Sequence, residues 1–335
     1  MNSSQEWVKH YASVKPEIQN TFLEIKVEDC REVLETIDLP LTNGISYESA
    51  ENRVFGFDSV VIKFYRPGRW SFKALQEEVH FLKDLQKADV PFVKPIGNVG
   101  TWRGVHYVIF DKIKEPYFSD REVLDEDSVR KMVHLVARIH DVGEKRNAPS
   151  RAQFNPRAMS SGCFEVIKKA GFLPKALEKR YEEVIDGLVK KIEELGDVPI
   201  QRIHGDTYSG NILWKENEPV FMDLDDFQVG PVALDVRLLS FPWRLDTLSE
   251  SLDRQERRKI QHNMVLGMYR EVRPFPQIQE KILPLLGAYR DIQFDAWFSA
   301  RWKEPNFASK YQDDDITASD YWEDSVEGLE EDISK

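Results

Sequence analysis

The chain has 335 residues, 41% of them hydrophobic and 31% charged, with a formal net charge of −12. That length suffices for two lobes around a real core, and so acidic a chain is a poor candidate for binding nucleic-acid backbones, though not nucleotides, which bind through local donors and a divalent ion. Two cysteines, Cys30 and Cys163, exclude a disulfide framework and a four-cysteine zinc site.

No segment reaches the length of a membrane helix, and the first thirty residues hold no apolar signal core. The expected compartment is the cytoplasm, with both thiols reduced and no membrane or nucleic-acid partner. Val27, Val33, Leu34 and Ile37 fall at helical spacing, with Asp29 as candidate N-cap and Pro40 as terminator. Asn43-Gly44 marks a turn. Residues 50–65 read as a β-hairpin, Val54–Phe57 against Val60–Tyr65 around Asp58-Ser59. Lys63 sits mid-strand, where it either faces solvent or grips an anion as a point charge.

Phe72 to Gln86 reads as a helix, with Leu75, Val79, Leu82 and Leu85 recurring at helical intervals. Of its paired acids Glu77 and Glu78, Glu78 shares the apolar face and is the candidate partner for Lys63; otherwise both are solvated. A Pro-punctuated extended segment, 90–96, precedes a strand pair ending at Phe110. Residues 111–118 then lack periodic apolars, which sets a boundary: 1–110 as an N-terminal lobe, 111–118 as a hinge, 119–335 as a mostly helical C-terminal lobe.

Residues 126–141 give an amphipathic helix capped by Asp125 or Asp127 and ended by Gly143, with His140 expected as a satisfied core histidine. Asn147–Ala158 reads as loop, and residues 177–195 as a second amphipathic helix. Strands are expected at 199–204, 212–214 and 219–223, an apolar helix at Leu234–Leu245, two helices within 248–302, and a final helix in the acidic segment Asp313–Lys335.

The chemistry concentrates in His204 to Asp226. Phosphoryl transfer needs a base to orient an acceptor hydroxyl and a divalent ion to neutralise the transferring group. Asp206 follows a strand and can serve as base. Asn211, five residues on, can offer its side-chain oxygen to Mg²⁺, and Asp223 on the next strand adds a catalytic carboxylate that completes an oxygen site for a hard cation. His204 is expected to pack beneath the loop, and Asp235 to hydrogen-bond its backbone. Asp225 and Asp226 either extend the metal site or cap the following turn.

The run HGDTYSGNILW followed by VFMDLDD resembles the aminoglycoside and choline phosphotransferase family, relatives of the eukaryotic protein kinases. Within it, ENRVF at 51–55, VVIKFYRPGRW at 60–70, the paired glutamates, and the late ARWKEP and DYW segments resemble a bacterial stress-kinase group of serine/threonine protein kinases. The likeness runs from about residue 40 to about residue 325. It implies an α+β, protein-kinase-like two-lobed fold: a small N-terminal antiparallel sheet plus helix over a larger, mostly helical lobe, with ATP in the cleft. It also implies that Asp206 is the base, that Asn211 and Asp223 are Mg²⁺ ligands, and that Lys63 lies on the α/β-phosphates beside a helix glutamate. Ser49 would contact the nucleotide, and Phe110 to Ile113 would border adenine. The acceptor would be a protein serine or threonine, or alternatively the hydroxyl of an amino alcohol, sugar or aminoglycoside. Departures are the missing Gly-x-Gly loop, the Thr207-Tyr208-Ser209-Gly210 sequence, and loose likeness over 150–175 and 246–290.

Overall fold

Alternation along two neighbouring strands organises the N-terminal part of the molecule. The computed structural model describes residues 14–49, 51–114, 117–118, 123–240, 243–248, 252–302 and 318–334. Five strands, β1 (Ile45–Tyr47), β2 (Arg53–Gly56), β3 (Val60–Phe64), β4 (Pro95–Trp102) and β5 (Val105–Asp111), form an antiparallel sheet in the order β1-β2-β3-β5-β4. Side chains on a strand alternate between faces. Ile62 and Phe64, with Val105, Tyr107 and Ile109, join one buried cluster against Phe22, Val33 and Leu34 of helices α1 (Pro16–Glu24) and α2 (Cys30–Glu35). The opposite face carries Lys63, and Val108 and Phe110 of β5 join the larger core of the rest of the chain.

Helix α3 (Phe72–Lys87) covers that second face. Ser71 caps it by accepting from Ala74 N at 3.2 Å, and Leu75, Val79, Phe81, Leu82 and Leu85 pack into the larger core. Each such fully buried side chain contributes about 2 kcal/mol. The helix therefore welds the sheet to the helical region, and its inner face carries Glu78 into the interior, 1% exposed.

Below the sheet lie α4 (Glu126–Gly143), α5 (Pro156–Ala170), α6 (Lys175–Glu194), α7 (Val232–Leu239), α8 (Arg254–Val272), α9 (Gln277–Ile282), α10 (Leu285–Arg301) and α11 (Ala318–Ser334). Among the described residues, three short ladders thread between them. One joins β10 (Glu218–Phe221), β9 (Ile212–Lys215) and β6 (Tyr117–Phe118); one joins β11 (Gln228–Gly230) and β8 (Gln201–Ile203); one joins β12 (Arg244–Leu245) and β7 (Val123–Leu124). A small antiparallel sheet with one prominent helix, set on a larger helical region, is the α+β protein-kinase-like fold expected. Among the described residues no helix is long and apolar enough to cross a membrane.

Several local expectations shift. Asp29 does not cap α2; its carboxylate accepts from Lys26 N at 2.9 Å and closes a 3₁₀ turn instead. The segment read as loop through Ala158 is helical from Pro156. Asn155 caps α5 through Ala158 N and Pro156 occupies its first position, a start signal that proline in an apparent loop obscures. The helix expected to reach Leu245 ends at Leu239, where Ser240 turns its hydroxyl back onto Val236 O. Among the described residues, three helices rather than two fill 254–301. The hinge residues Glu115 and Pro116, the tail residues Lys303 to Pro305 and the stretch Asp313–Thr317 lie outside the described residues.

Candidate active site

The loop after β8 is shaped by Gly205 and a buried carboxylate. Gly205 has φ +83°, and a Cβ there would sit 2.2 Å from Asp226 O, so only glycine lets the two loops touch. Asp235, on α7 and fully buried, accepts from His204 N and Gly205 N, both at 2.8 Å, while its backbone carbonyl accepts from Thr207 Oγ1 at 2.7 Å. His140 completes the support. Its Nε2 lies 2.9 Å from Asp235 Oδ2 and its Nδ1 2.7 Å from the Tyr269 hydroxyl, so it is a satisfied core histidine. His204 is also fully buried. Its Nδ1 accepts from Asp206 N at 3.3 Å, which leaves Nε2 as the donor to Met222 O at 3.0 Å.

This scaffold presents Asp206 with both carboxylate oxygens held. Asn211 Nδ2 donates to Oδ2 at 2.8 Å, and Arg290 of α10 donates to Oδ1 at 2.9 Å. Burial raises the proton affinity of Asp206, and Arg290 offsets part of that rise. Asn211 reaches this position through the 3₁₀ turn Ser209–Asn211, and its carbonyl accepts from Met222 N at 2.9 Å.

The second loop follows β10, which ends at Phe221 and not at 223. Asp223 adopts φ +61°, a left-handed conformation uncommon for a residue with a side chain, which turns its carboxylate back toward the sheet. Lys63 Nζ reaches Asp223 Oδ1 at 2.7 Å and also pairs with Asp225 Oδ1. Burial alone would favour the neutral lysine, but the two carboxylates overcome it and raise its proton affinity. Burial would likewise raise Asp223, yet Lys63 holds it below the ordinary range. The strand lysine does not face solvent, because the sheet face opposite Ile62 and Phe64 is the roof of the cleft.

Glu78 does not ion-pair with Lys63. The Tyr65 hydroxyl donates to it at 2.6 Å and Arg151 Nη1 lies 3.8 Å away, while the nearer Asp223 and Asp225 take the ammonium. Burial and the negative charge of Asp225 push the Glu78 carboxyl up to about 7. Glu77 points elsewhere, accepting from Ser150 N at 3.0 Å. Asp225 and Asp226 do more than cap the following turn, since both pair with distant side chains. Asp225 Oδ2 accepts from Asn52 Nδ2 at 2.5 Å and Arg69 Nη1 at 3.0 Å, and Asp226 accepts from Arg69 Nη2 at 2.5 Å and lies 3.5 Å from Arg290. Fully buried Arg151 fixes the loop from behind. Its guanidinium is stacked 3.9 Å from the Trp70 ring centroid and 4.5 Å from that of Phe227, and it donates to the carbonyls of Asp225 and Phe227.

The eight residues read from sequence as catalytic, nucleotide or metal candidates, Ser49, Lys63, Glu78, Phe110, Ile113, Asp206, Asn211 and Asp223, line one cleft of about 990 Å³ between the sheet and the helical region. Asn211 Oδ1 and Asp223 Oδ2 receive no hydrogen bond from any described residue. An amide oxygen and a carboxylate oxygen suit a hard divalent cation that takes the rest of its shell from phosphate and water. Sequence does not single out Arg69, Arg151 or Arg290. Arg69 lies within the RPGRW run, but Arg151 and Arg290 fall in the stretches of loosest resemblance.

The profile of the phosphotransferase enzyme family matches residues 47–275. The chain is 29% identical over 315 residues to the serine/threonine protein kinase RdoA of Salmonella typhimurium, covering 90% of this chain and 91% of that one. It is 27% identical to stress response kinase A of Escherichia coli K12, covering 85% and 84%. Among solved structures, the amicoumacin kinase hAmiN in complex with AMP-PNP, Ca²⁺ and Ami superposes with a TM-score of 0.72 at 15% identity, over 95% of this chain and 96% of that one. With the fold, the cleft and the profile in agreement, the chain belongs to the phosphotransferase enzyme family and is an ATP-dependent kinase.

Proposed function

We propose that the enzyme is a Mg²⁺-dependent serine/threonine protein kinase with Asp206 as base. Asp206 accepts the proton of the acceptor hydroxyl as that oxygen attacks the γ-phosphorus of ATP and the bond to the β,γ-bridging oxygen breaks. Arg290 and Asn211 keep the carboxylate in one orientation, so little reorganisation is needed at the moment of transfer. Asn211 and Asp223 would hold the metal, which would supply positive charge against the phosphates of ATP. Lys63 anchors the phosphates, Ser49 contacts them from the β1–β2 connection, and Phe110 to Ile113 border the adenine. Glu78 acts indirectly, through Tyr65 and the charge balance around Lys63.

The observation that carries this reading is the double restraint on Asp206 at the floor of a cleft that also holds two unclaimed oxygen ligands. For the acceptor, the support is the chain-long similarity to a relative named as a serine/threonine protein kinase. A small-molecule acceptor is the second reading. Asp291 and Phe294 on the cleft wall would suit a cationic alcohol, through charge and an aromatic face.

Incubation with labelled ATP and Mg²⁺ separates them. Label on the enzyme itself or on a casein-like acceptor supports the protein kinase. Label only in a small alcohol from a metabolite pool replaces it with the second reading.

A further inference from the structure

The motif Glu51-Asn52-Arg53-Val54-Phe55 opens β2, and its first two residues bind in different directions. Asn52 faces the acidic loop, donating to Asp225 Oδ2, while its backbone N–H donates to Ser49 Oγ at 3.1 Å. Glu51 faces α10. Its Oε2 accepts from Trp297 Nε1 and Arg301 Nε, both at 3.0 Å, and its Oε1 accepts from Arg301 Nη2 at 2.8 Å. Arg66 Nε lies 3.3 Å away and Arg69 Nε 3.7 Å away on the sheet side. The carboxylate is mostly buried, with a relative exposure of 11%. Burial, the largest single influence, would raise its proton affinity, but Arg69, Arg301 and Arg66 together hold it well below the usual range.

Helix α10 thus touches the site twice. At its N-terminal end Arg290 holds Asp206, and near its C-terminal end Trp297 and Arg301 hold Glu51. Between them Phe294, on the same helix, lines the wall of the cleft. The connection that carries Ser49 has no Gly-x-Gly pattern, so its own backbone does not dictate a phosphate cradle. Asn52 N–H, donating to Ser49 Oγ, ties Ser49 to the start of β2.

We propose that Glu51 is a positioning residue that fixes the Ser49 connection to α10, so that the seat of the nucleotide phosphates and the acceptor-side wall are set together. The proposal rests on the reading that Ser49 contacts the nucleotide. It makes ATP affinity depend on residues of α10 that do not reach the nucleotide.

The test is calorimetric titration of AMP-PNP with Mg²⁺ into the wild type, Glu51→Gln, Arg301→Lys and Trp297→Phe, alongside KM for ATP and kcat for labelled transfer. Glu51→Gln is expected to weaken AMP-PNP binding and raise KM for ATP on the order of tenfold, since a buried charge-assisted contact is lost. Arg301→Lys keeps a positive charge beside the Glu51 carboxylate and is expected to lose less than Glu51→Gln, and Trp297→Phe, which removes one hydrogen bond, costs about threefold. For all three, kcat at saturating ATP stays within about twofold of wild type. Wild-type affinity in folded variants would overturn the proposal, as would a fall in kcat at unchanged KM. If Glu51→Gln does not fold, Trp297→Phe and Arg301→Lys decide by the same criteria. Failure of the wild type to bind AMP-PNP would instead overturn the nucleotide reading on which the proposal stands.

Discussion

Arg290 Nη2 lies 2.9 Å from Asp206 Oδ1, across 84 residues of sequence. The four residues between Asp206 and Asn211, Thr207 to Gly210, include no cation. The positive charge beside the candidate base therefore comes from a distant helix, not from the loop. Arg290→Met should lower kcat on the order of 100-fold, with KM for ATP changed far less, because one oxygen of the base loses its restraint. Arg290→Lys should recover part of the rate. Steady-state kinetics of both variants checks this, and a Met variant with wild-type kcat would remove Arg290 from the account.

Asp235 carries the loop's geometry. Replacing it with alanine leaves His204 N, Gly205 N and one nitrogen of His140 without their buried partner. A loss of about 3–5 kcal/mol is expected, read as a lower urea midpoint, together with loss of transfer activity. A stability change under about 1 kcal/mol would mean that the loop holds its shape without the carboxylate.

Glu78 predicts a pH dependence of stability. Its carboxyl is raised to about 7 in the fold, from 4.5 for a free group. The folded state therefore binds more protons than the unfolded state between those values, and unfolding free energy falls as pH rises through that window. The contribution is fully present below the unfolded value and lost above the folded one. Melting temperatures of the wild type should drop relative to Glu78→Gln between about pH 5 and pH 8. Parallel curves for the two proteins would contradict the assignment.

Asp223→Asn should separate chemistry from folding. Asparagine tolerates the left-handed backbone at φ +61°, and the replaced carboxylate is 40% exposed, so the melting temperature should shift by only a few degrees. Transfer should fall by two orders of magnitude or more, with a higher Mg²⁺ requirement, since the proposed metal ligand loses its charge. Normal turnover at low Mg²⁺ would show that the metal sits elsewhere.

Most of the sheet and helix α3 are legible in the sequence because their signals are local: two apolar runs around the Asp58-Ser59 turn, and helical spacing from Leu75 to Leu85. The Asp206-to-Asn211 spacing is legible for the same reason, and Asp235 can be placed as a support for the loop. Sequence does not show which side chains meet across long separations. It matches Lys63 with Glu78, yet the fold gives the lysine Asp223 and Asp225, 160 and 162 residues away. Arg290, Trp297 and Arg301 fall in a region read from sequence only as two helices within 248–302. Their partners Asp206 and Glu51 lie 84, 246 and 250 residues away, separations that no local pattern encodes. The Asn155-Pro156 start of α5 is visible in principle, and is hidden by reading proline as a loop marker.

The central claim is that Asp206 is the base. The most direct measurement is single-turnover transfer from labelled ATP with Mg²⁺ by the wild type and Asp206→Asn, with AMP-PNP affinity measured on both. The asparagine can still accept from Arg290, so the cleft is kept. A loss of at least about 1,000-fold in transfer rate with unchanged nucleotide affinity is the expected result. Equal transfer by the two proteins would contradict the account.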